Sequence, residues 1–363
     1  MKIGFVLNSL KDGGIARVAT TYANLIADNT NNEVYIIVLH KKNPLFEVSS
    51  KIKIIENDSI RSKGNKISYT INTFLFLRKV FKEYKFDRLV VNGEWITSFS
   101  YFASVNTGTK KVYFFDHSNP LRKKQSPYAF ADKIAYKKAD NILVLSEAAK
   151  EVINKKVPQV KNITIVENPV LFLDKPKEVD KKNIIISMGR LSSEKGQDIL
   201  LRAFAKTENK DWFLHFLGDG PMKDELTVLA KQLSVEDKVV FLGNQTKIID
   251  YLSIAEIYVM PSKTENFPMA LLEVMSLGLP CVVTDCMPWR GEDDFIINNK
   301  NGLKVGVDDV DAMAKALNRL MQSEQERIFF SNKSLEIRER LNINNTLKTF
   351  TKAIEIKLTN ENN

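Results

Sequence analysis

The feature that most constrains the fold of this chain is a repeated alternation of short apolar runs with amphipathic stretches. Runs such as Ile3–Leu7 and Val34–Leu39 have the length of a strand and are apolar on both faces, which is typical of strands buried in a parallel sheet. Helical stretches such as Ala16–Ala27 lie between the runs, and the same rhythm restarts at Asn183–Met188. Two βαβ series predict an α/β chain of two doubly wound, Rossmann-like domains.

The length of 363 residues also favours two domains over one core, since a domain averages roughly 150 residues. A charged, proline-interrupted stretch, Asn168–Lys182, breaks the alternating pattern. We therefore place an N-terminal domain at residues 1–168 and a C-terminal domain at residues 169–345. The tail Ile328–Leu358 predicts one or two amphipathic helices, and residues 346–363 are expected to cross back to the first domain.

The formal net charge of +9 is unevenly distributed along the chain. Residues 1–168 hold 27 basic and 15 acidic side chains, whereas residues 169–363 carry a small net negative charge. In the first half, the segments Ile67–Phe86 and Arg122–Lys138 mix lysine and arginine with aromatic residues. This mixture favours docking on an anionic membrane surface, and a core helix with a solvated basic face is the equal alternative. Nucleic acid is disfavoured, because no RNA- or DNA-binding motif accompanies the charge.

Several absences narrow the class of protein. The N-terminus runs directly into a strand without a leader-like segment, and no apolar stretch approaches the length of a membrane span, so we expect a cytoplasmic chain that can sit peripherally at a membrane. The three histidines form no HExxH motif, and Cys281 and Cys286 have no second pair, so no metal centre is expected. The missing G-x-G-x-x-G disfavours a nicotinamide or flavin enzyme.

The strongest chemical pattern is a pair of glutamates, Glu265 and Glu273, eight residues apart after the apolar run Ile257–Met260. The backbone amides of Phe267–Ala270 are predicted to open a helix and to face an anion such as phosphate. Glu273 lies over a turn deeper and could accept hydrogen bonds from a ribose diol, while Glu265 could reach sugar hydroxyls. Taken alone, the pattern fits equally well an acidic residue at a helix start with one solvated glutamate.

Two cations, Arg190 and Lys195, follow the apolar run Asn183–Met188 on one short loop. Such a pair can clamp a diphosphate and stabilise it as it leaves. As an isolated pair they would be two solvated charges. Beside a phosphate site at a helix terminus of the same domain, we favour the binding function.

The segment Glu265–Glu273 contains Phe267-Pro268 and runs on into Leu-Leu-Glu-Val-Met-Ser-Leu-Gly-Leu-Pro. This combination resembles the signature of the family 4 retaining glycosyltransferases, most closely their exopolysaccharide and capsule branch. Further motifs similar to the family's occur in the family's order over nearly the whole chain: Asn8-Ser9-Leu10 with Gly13–Arg17, Asp116–Pro120, Glu167-Asn168-Pro169, Met188–Leu191, Glu194-Lys195-Gly196 and Leu217–Pro221.

The resemblance implies a GT-B fold, in which two Rossmann-like domains face each other across a cleft. It implies transfer of a hexosyl or N-acetylhexosaminyl unit, with retention of configuration and without a metal, from a nucleotide-sugar that we expect to be a UDP-sugar. The expected acceptor is a hydroxyl of a growing glycan, which can be lipid-linked. Alternatives are a GT-B phosphorylase or epimerase and a non-catalytic sugar-binding partner in polysaccharide assembly.

The resemblance also assigns roles to individual residues. The catalytic residues it implies are Glu265, His117, Arg190 and Lys195. The donor-binding residues it implies are Gly13, Gly14, Arg190, Lys195, Asn244, Asn266, Phe267, Pro268, Leu271 and Glu273. On the acceptor side it points to Arg17 and Asp116.

Two acidic segments need separate interpretation. Asp309-Val310-Asp311 is a formal D-x-D metal motif, but it stands just before a predicted helix and is interpreted as a helix cap with first-turn acids. The segment Trp289–Asp294 departs from the family, which usually has a glycine-proline motif there. We expect this departure to alter substrate preference.

Overall fold

The structure is a computed structural model that describes residues 1–10, 13–40, 47–57, 66–93, 96–117, 120, 129–174, 180–208, 211–289 and 294–359. The chain divides into two compact units. Unit 1 comprises Met1–Pro169 and the C-terminal segment from Ile343, and unit 2 comprises Val170–Asn342.

The described strands of unit 1 form one parallel sheet of seven strands in the order β3-β2-β1-β4-β5-β6-β7. The order reverses at β1, as in a Rossmann sheet. The central strands are buried because helices cover both faces of the sheet. The strands are β1 Lys2–Leu7, β2 Glu33–Val38, β3 Lys53–Glu56, β4 Arg88–Asn92, β5 Lys111–Asp116, β6 Asn141–Val144 and β7 Ile163–Ile165.

The helices of unit 1 lie on opposite faces of this sheet. Val6 of β1 packs in the same cluster as Leu77 and Phe81, whereas the neighbouring Phe5 stacks on Phe350 with ring centroids 6.2 Å apart. Successive side chains of a strand point to opposite faces of the sheet. The helix that carries Leu77 and Phe81 therefore covers one face, and the helix that carries Phe350 covers the other. The described helices are α1 Gly14–Asn29, α2 Lys66–Tyr84, α3 Thr97–Ser104, α4 Ala129–Lys138 and α5 Glu147–Lys156.

Unit 2 is a second parallel sheet, whose six described strands have the order β10-β9-β8-β11-β12-β13. Its order reverses at β8, so the carboxyl ends of β8 and β11 lie side by side at the reversal. That position is where doubly wound sheets bind ligands. The strands are β8 Ile184–Met188, β9 Phe213–Leu217, β10 Val239–Gly243, β11 Ile257–Met260, β12 Cys281–Thr284 and β13 Leu303–Val305.

The described helices of unit 2 connect these strands and then continue as a run. They are α6 Gln197–Ala205, α7 Lys223–Gln232, α8 Ile248–Leu252, α9 Met269–Ser276, α10 Val310–Gln322, α11 Glu324–Ser334 and α12 Ile337–Arg340. The chain then returns to unit 1 as α13, Ile343–Ala353. The predicted α/β class with two Rossmann-like domains is confirmed. The prediction of one or two helices over Ile328–Leu358 is wrong in number, because three described helices, α11 to α13, lie in this part of the chain.

Helix α13 is fastened to unit 1 by packing and by hydrogen bonds. Phe350 is fully buried and stacks on Tyr22 of α1 with ring centroids 3.8 Å apart. At the end of the helix, the side-chain amide of Asn141 donates to the Ala353 carbonyl at 3.0 Å, and the Arg88 Nε donates to the next carbonyl, that of Ile354, at 3.0 Å. The last helix is therefore part of the core of unit 1.

Candidate functional site

The loops after β8 and β11 meet through a charged pair. The Lys195 Nζ lies 2.6 Å from the Glu265 Oε1, and the Ser262 hydroxyl donates to the same oxygen at 2.7 Å. The side chains are 29% and 14% exposed, respectively, for Lys195 and Glu265. A pair that is this buried is less screened by solvent than a surface salt bridge. The structure therefore brings together two residues that the sequence placed 70 positions apart.

Backbone hydrogen bonds hold the Glu265 loop on both sides. The Lys263 amide donates to the Glu194 carbonyl at 2.8 Å, which ties it to the loop that carries Lys195. The Glu265 amide donates to the Cys286 carbonyl at 3.3 Å, which ties it to the loop after β12. Three neighbouring strand ends are thus linked at one edge of the sheet.

Gly196 permits the close approach of the loops that follow β8 and β11. Gly196 has φ +66°, and a Cβ built on it would lie 2.1 Å from the Pro261 carbonyl oxygen. Only glycine fits this conformation and this distance without displacing the backbone. Lys195 therefore reaches Glu265 because its neighbour has no side chain.

Helix α9 presents the second glutamate of the pattern. Glu273 lies on α9 and is only 2% exposed, and Leu271 on the same helix is fully buried. Glutamate is seldom buried to this extent in a folded protein. The described site thus places Glu265 before the helix and Glu273 within it.

The helix start differs in one respect from the prediction. The amides of Phe267–Ala270 are not all open, because Pro268 has no N–H and the Met269 amide donates to the Phe267 carbonyl at 3.0 Å. Pro268 occupies the cap position, and the intrahelical ladder begins with the Leu272 amide on the Pro268 carbonyl at 3.2 Å. The amides of Ala270 and Leu271 remain as the first-turn donors at the positive end of the helix dipole.

The charges of this site shift the pKa values of two buried side chains, Tyr258 and Cys286. Burial, with further contributions from Cys281 and from the carboxylates of Glu265 and Glu273, raises the pKa of Tyr258 well above its usual value. The pKa of Cys286 is raised to about 11, chiefly by burial; a hydrogen bond with Thr284 and the charge of Lys195 act to lower it, and the charge of Glu265 acts to raise it. Both glutamates therefore act electrostatically on the same tyrosine of β11.

An aromatic cluster braces the Glu265 segment. The Phe267 ring is edge-on to Trp289 at 5.8 Å and to Phe295 at 5.1 Å. The Trp289 Nε1 donates to the Asn266 carbonyl at 2.8 Å. Sequence reasoning missed the role of Trp289, and the only signal for it was that this segment departs from the family pattern.

Arg190 follows β8 and Asn244 follows β10, and β9 lies between these two strands in the sheet. Arg190 is an exposed residue. Its backbone carbonyl accepts a hydrogen bond from the side-chain Nε2 of Gln197 at 3.0 Å, which fixes the backbone at this position. Asn244 is exposed and follows β10. The Gly218 amide donates to the Gly243 carbonyl at 2.9 Å, which joins the loops after β9 and β10.

In unit 1, the glycine pair after β1 opens α1. Gly13 is the cap residue with φ +97°, and Gly14 is the first residue of the helix. A Cβ on either glycine would meet nothing within 4 Å, so neither is required by local packing. Arg17 lies half-buried in the first turn, and its amide donates to the Gly13 carbonyl at 3.3 Å.

Asp116 and His117 lie at the carboxyl end of β5. The Tyr136 hydroxyl donates to the Asp116 Oδ2 at 2.9 Å, and the His117 ring lies 4.1 Å from the Phe115 ring centroid. Burial lowers the pKa of His117 to about 4, although Asp116 raises it, so the imidazole is neutral near pH 7. The rest of this family motif, residues 118 and 119, lies outside the described residues.

The described residues of the two acidic segments make structural contacts, and residues 290–293 lie outside the described residues. Asp309 Oδ1 accepts from the Ala312 amide at 2.9 Å as the cap of α10, and Asp311 pairs with Lys206 at 2.7 Å. Asp294 is 4% exposed and pairs with Lys304. Within the described parts of the chain, no group of three or more histidine, cysteine or acidic residues could hold a metal ion, and no helix is apolar enough over its length to cross a bilayer.

The fold is shared with a solved structure over nearly the whole chain. Anabaena HepE in complex with UDP and glucose matches 98% of this chain and 99% of its own with a TM-score of 0.81 at 17% identity. Two parallel Rossmann-like sheets, together with this match, define a protein with a GT-B fold.

Family models and relatives give the finer assignment. The model of group 1 glycosyl transferases matches residues 172–339, and that of glycosyltransferase family 4 matches residues 12–170. An uncharacterised glycosyltransferase of Haemophilus influenzae is 31% identical over 342 residues, which is 92% of this chain and 94% of the relative. The chain belongs to the family 4 glycosyltransferases.

A further relative has a named reaction. It is the GalNAc-α-(1→4)-GalNAc-α-(1→3)-diNAcBac-PP-undecaprenol α-1,4-N-acetyl-D-galactosaminyltransferase of Campylobacter jejuni, 28% identical over 335 residues, or 90% of each chain. The family expected from the sequence is thereby confirmed.

Proposed function

We propose that this glycosyltransferase takes a sugar from a UDP-sugar and transfers it, with retention of configuration, to a hydroxyl of a growing glycan. The observation that best supports the proposal is the Lys195–Glu265 pair at the carboxyl edge of the unit 2 sheet, beside the start of α9. A cation and a carboxylate on one edge suit the two ends of a sugar diphosphate.

The diphosphate end is assigned to the cations and the helix start. Arg190 and Lys195 follow β8, and the first-turn amides of Ala270 and Leu271 belong to α9, which follows the neighbouring strand β11. They would stabilise the negative charge that develops on the leaving UDP as the glycosyl bond breaks, and so lower the energy of the transition state. The crystal structure of HepE in complex with UDP and glucose supports a uridine nucleotide as the donor.

The glutamates are assigned to the hydroxyl groups. Glu273, inside α9, would accept hydrogen bonds from the ribose diol, and Glu265 would orient hydroxyls of the transferred sugar. Glu265 already accepts bonds from Lys195 and Ser262, so it is held as an orienting group and is not free to attack the sugar. In this scheme the acceptor hydroxyl attacks the face from which UDP leaves, its proton passes to the departing diphosphate, and no protein nucleophile takes part.

The transferred unit is proposed to be a hexosyl or N-acetylhexosaminyl group. The name of the Campylobacter jejuni relative supports an N-acetylhexosamine and an acceptor linked to a polyprenyl diphosphate. We propose metal-independent transfer, for which the diphosphate charge is met by Lys195 and Arg190. The acceptor is assigned to unit 1, near Arg17 and Asp116, on the family resemblance.

The first experiment is a thermal-shift screen of UDP-glucose, UDP-galactose, UDP-GlcNAc and UDP-GalNAc. A ligand that binds the folded protein raises its melting temperature according to its concentration and affinity. The stabilising UDP-sugar is then tested for UDP release with EDTA present, with and without a polyprenyl-diphosphate-linked N-acetylhexosamine acceptor. Acceptor-dependent UDP release supports a transferase, whereas rapid donor conversion without an acceptor would support an epimerase.

Two variants then test the assignment of the glutamates. Glu273→Ala should weaken donor binding, and Glu265→Ala should remove most turnover with the donor still bound. Wild-type turnover in Glu265→Ala would contradict the proposal. Binding of UDP-sugars without turnover in the wild-type chain would favour a non-catalytic sugar-binding protein.

We propose in addition that one face of unit 1 docks on an anionic membrane. Ile71 and Leu75 of α2 are 53% and 56% exposed, and Phe130 of α4 is 79% exposed. Lys79 and Lys82, further along α2, are exposed as well. Large exposed apolar side chains beside lysines match a surface that inserts between headgroups, where each cation contributes about 1 kcal/mol. Lys133, Lys137 and Lys138 of the second predicted segment are exposed too, whereas its residues 122–124 lie outside the described residues.

Sedimentation with phosphatidylcholine vesicles, with and without phosphatidylglycerol, tests this surface. The double variant Lys79→Glu, Lys82→Glu should lose most binding to the anionic vesicles. The double variant Lys348→Glu, Lys352→Glu is a matched control, because it makes the same charge change at exposed positions of α13 on the other face of the sheet. Equal loss in both double variants, or no loss in either, would contradict a specific surface.

A further inference from the structure

We propose that Trp289 is a positioning residue that fixes the backbone of the Glu265–Phe267 segment, and that Arg340 holds Trp289 in place. This inference rests on the proposed function, because it concerns how Glu265 is aimed at the transferred sugar. It goes beyond that proposal in naming a side chain that does not itself touch the donor.

The indole of Trp289 makes a directed contact with this segment. Its Nε1 donates to the Asn266 carbonyl at 2.8 Å, a normal length for a well-formed hydrogen bond. That carbonyl belongs to the residue immediately after Glu265. A bond at this atom fixes the peptide plane between Asn266 and Phe267, which is one peptide beyond Glu265 in the chain.

The ring of Trp289 is itself immobilised by packing. Trp289 is 6% exposed and lies 4.8 Å from the Phe295 ring centroid, and both rings contact Phe267. The indole and the carbonyl therefore meet within one aromatic cluster, and the hydrogen bond cannot rotate away without repacking three rings.

Arg340 closes this cluster from outside. Its guanidinium carbon lies 4.8 Å from the Phe295 ring centroid and 6.0 Å from that of Trp289. It also donates to the Asp294 carbonyl at 2.9 Å, next to Phe295 in the chain. A cation over an aromatic face stabilises the ring's position, here with a hydrogen bond that fixes the guanidinium. Arg340 belongs to α12, two residues before the chain leaves unit 2.

The cluster acts on turnover through geometry. The opposite side of the Glu265 loop is held by the amide of Glu265 on Cys286 and by the Lys195 pair. Without the Trp289 bond, the segment after Glu265 loses the hydrogen bond that the indole makes to the Asn266 carbonyl. A shift of about 1 Å in an orienting group can lower a rate about 100-fold. The UDP contacts proposed for Arg190 and Glu273 are made by side chains outside that peptide.

Trp289→Phe is the decisive variant, because it keeps an aromatic ring and removes only the indole N–H and its extra ring. Trp212→Phe is the matched control: Trp212 is buried in unit 2, lies 5.3 Å from the Arg327 guanidinium carbon and belongs to a different core cluster. The measurements are kcat for UDP release from the UDP-sugar selected by the thermal-shift screen, the Kd of UDP by calorimetry, and the melting temperature.

The expected result for Trp289→Phe is a fall in kcat of about 10-fold or more, with the Kd of UDP within about twofold of wild type. Trp212→Phe should keep its kcat within about twofold, whatever its melting temperature. Arg340→Met should show the same split at a smaller size, and it replaces Trp289→Phe as the test if that variant does not fold.

An unchanged kcat in Trp289→Phe would overturn the inference, as would a parallel loss of kcat and of UDP affinity, which a merely structural role predicts. A wild-type chain that neither binds UDP nor turns over a UDP-sugar would overturn the proposed function together with this inference. A wild-type chain with normal turnover and an unaffected Trp289→Phe variant would overturn the inference alone.

Discussion

The ammonium of Lys195 and the carboxylate of Glu265 are 2.6 Å apart, joined across two loops of unit 2. Each is therefore the other's counter-ion in the ligand-free protein. Under the proposed function, a bound diphosphate competes with Glu265 for Lys195, because both are anions within reach of the same cation. This competition predicts the direction in which the affinity for UDP changes when the charge of Glu265 is removed.

Glu265→Gln is expected to tighten UDP binding and to lower turnover at the same time. The amide keeps the shape of the side chain but removes the negative charge beside the diphosphate, so Lys195 becomes fully available. A gain of about 1 kcal/mol corresponds to about a fivefold lower Kd for UDP. Calorimetry with UDP and an assay of UDP release measure the two effects. Weaker UDP binding in Glu265→Gln would show that Lys195 does not serve the diphosphate.

Gly196→Ala should destabilise unit 2 by at least about 2 kcal/mol, since the new Cβ adds the left-handed backbone cost to a clash with the Pro261 carbonyl. The two loops must move apart, so the Lys195–Glu265 pair should weaken and UDP affinity should fall with it. Urea unfolding measures the first effect and calorimetry the second.

Two other glycines separate the causes. Gly243→Ala has the same backbone cost at φ +67° but meets nothing within 4 Å, so about 1 kcal/mol is expected. Gly14→Ala has neither problem and should leave the unfolding free energy within about 0.5 kcal/mol. Equal losses in Gly196→Ala and Gly243→Ala would show that the loop contact does not matter.

His117 gives the stability a defined pH dependence. Burial lowers its pKa to about 4 from an ordinary value of 6.5. Because the folded-state pKa is lower than the unfolded one, the unfolded chain takes up a proton first as the pH falls. The stabilisation that His117 provides is complete above pH 6.5 and is lost between pH 6.5 and about 4, at up to about 1.4 kcal/mol per pH unit.

The comparison with His117→Gln isolates this effect from other titrations. Urea unfolding at pH 7 and at pH 4.5 should show the wild type losing about 2 kcal/mol more than the variant. Equal losses in the two proteins would mean that His117 titrates normally in the folded state.

Much of the fold and part of the site could be predicted from the sequence. Buried strands such as β1 and β8 could be located because both faces are apolar, and the opposite case is β7, whose half-buried residues at the sheet edge produce too weak a pattern. The proximity of strand ends follows from parallel topology, so Lys195 and Glu265 could be expected on one edge. Their 2.6 Å contact depends on Gly196 and Pro261, which no spacing reveals.

Other parts of the site depend on tertiary packing alone. The bond from Trp289 to Asn266 joins positions 23 residues apart through an aromatic cluster that also needs Phe295 and Arg340. No periodicity encodes such a cluster. The amide of Met269 likewise turns back to Phe267, a local choice that the helix pattern did not predict.

The last prediction concerns α13, the segment that returns to unit 1. Phe350→Ala removes a fully buried ring that stacks on Tyr22 at 3.8 Å and on Phe5 at 6.2 Å, so a cost of about 3–5 kcal/mol is expected. Phe329→Ala is the matched control, since that ring is 49% exposed and its loss should cost within about 0.5 kcal/mol. Hydrogen exchange followed by mass spectrometry locates the effect: amides of β1 and α1 should lose protection, and amides of β8 should not. Equal loss in both sheets would mean that the two units unfold as one, and α13 would then stabilise the whole chain.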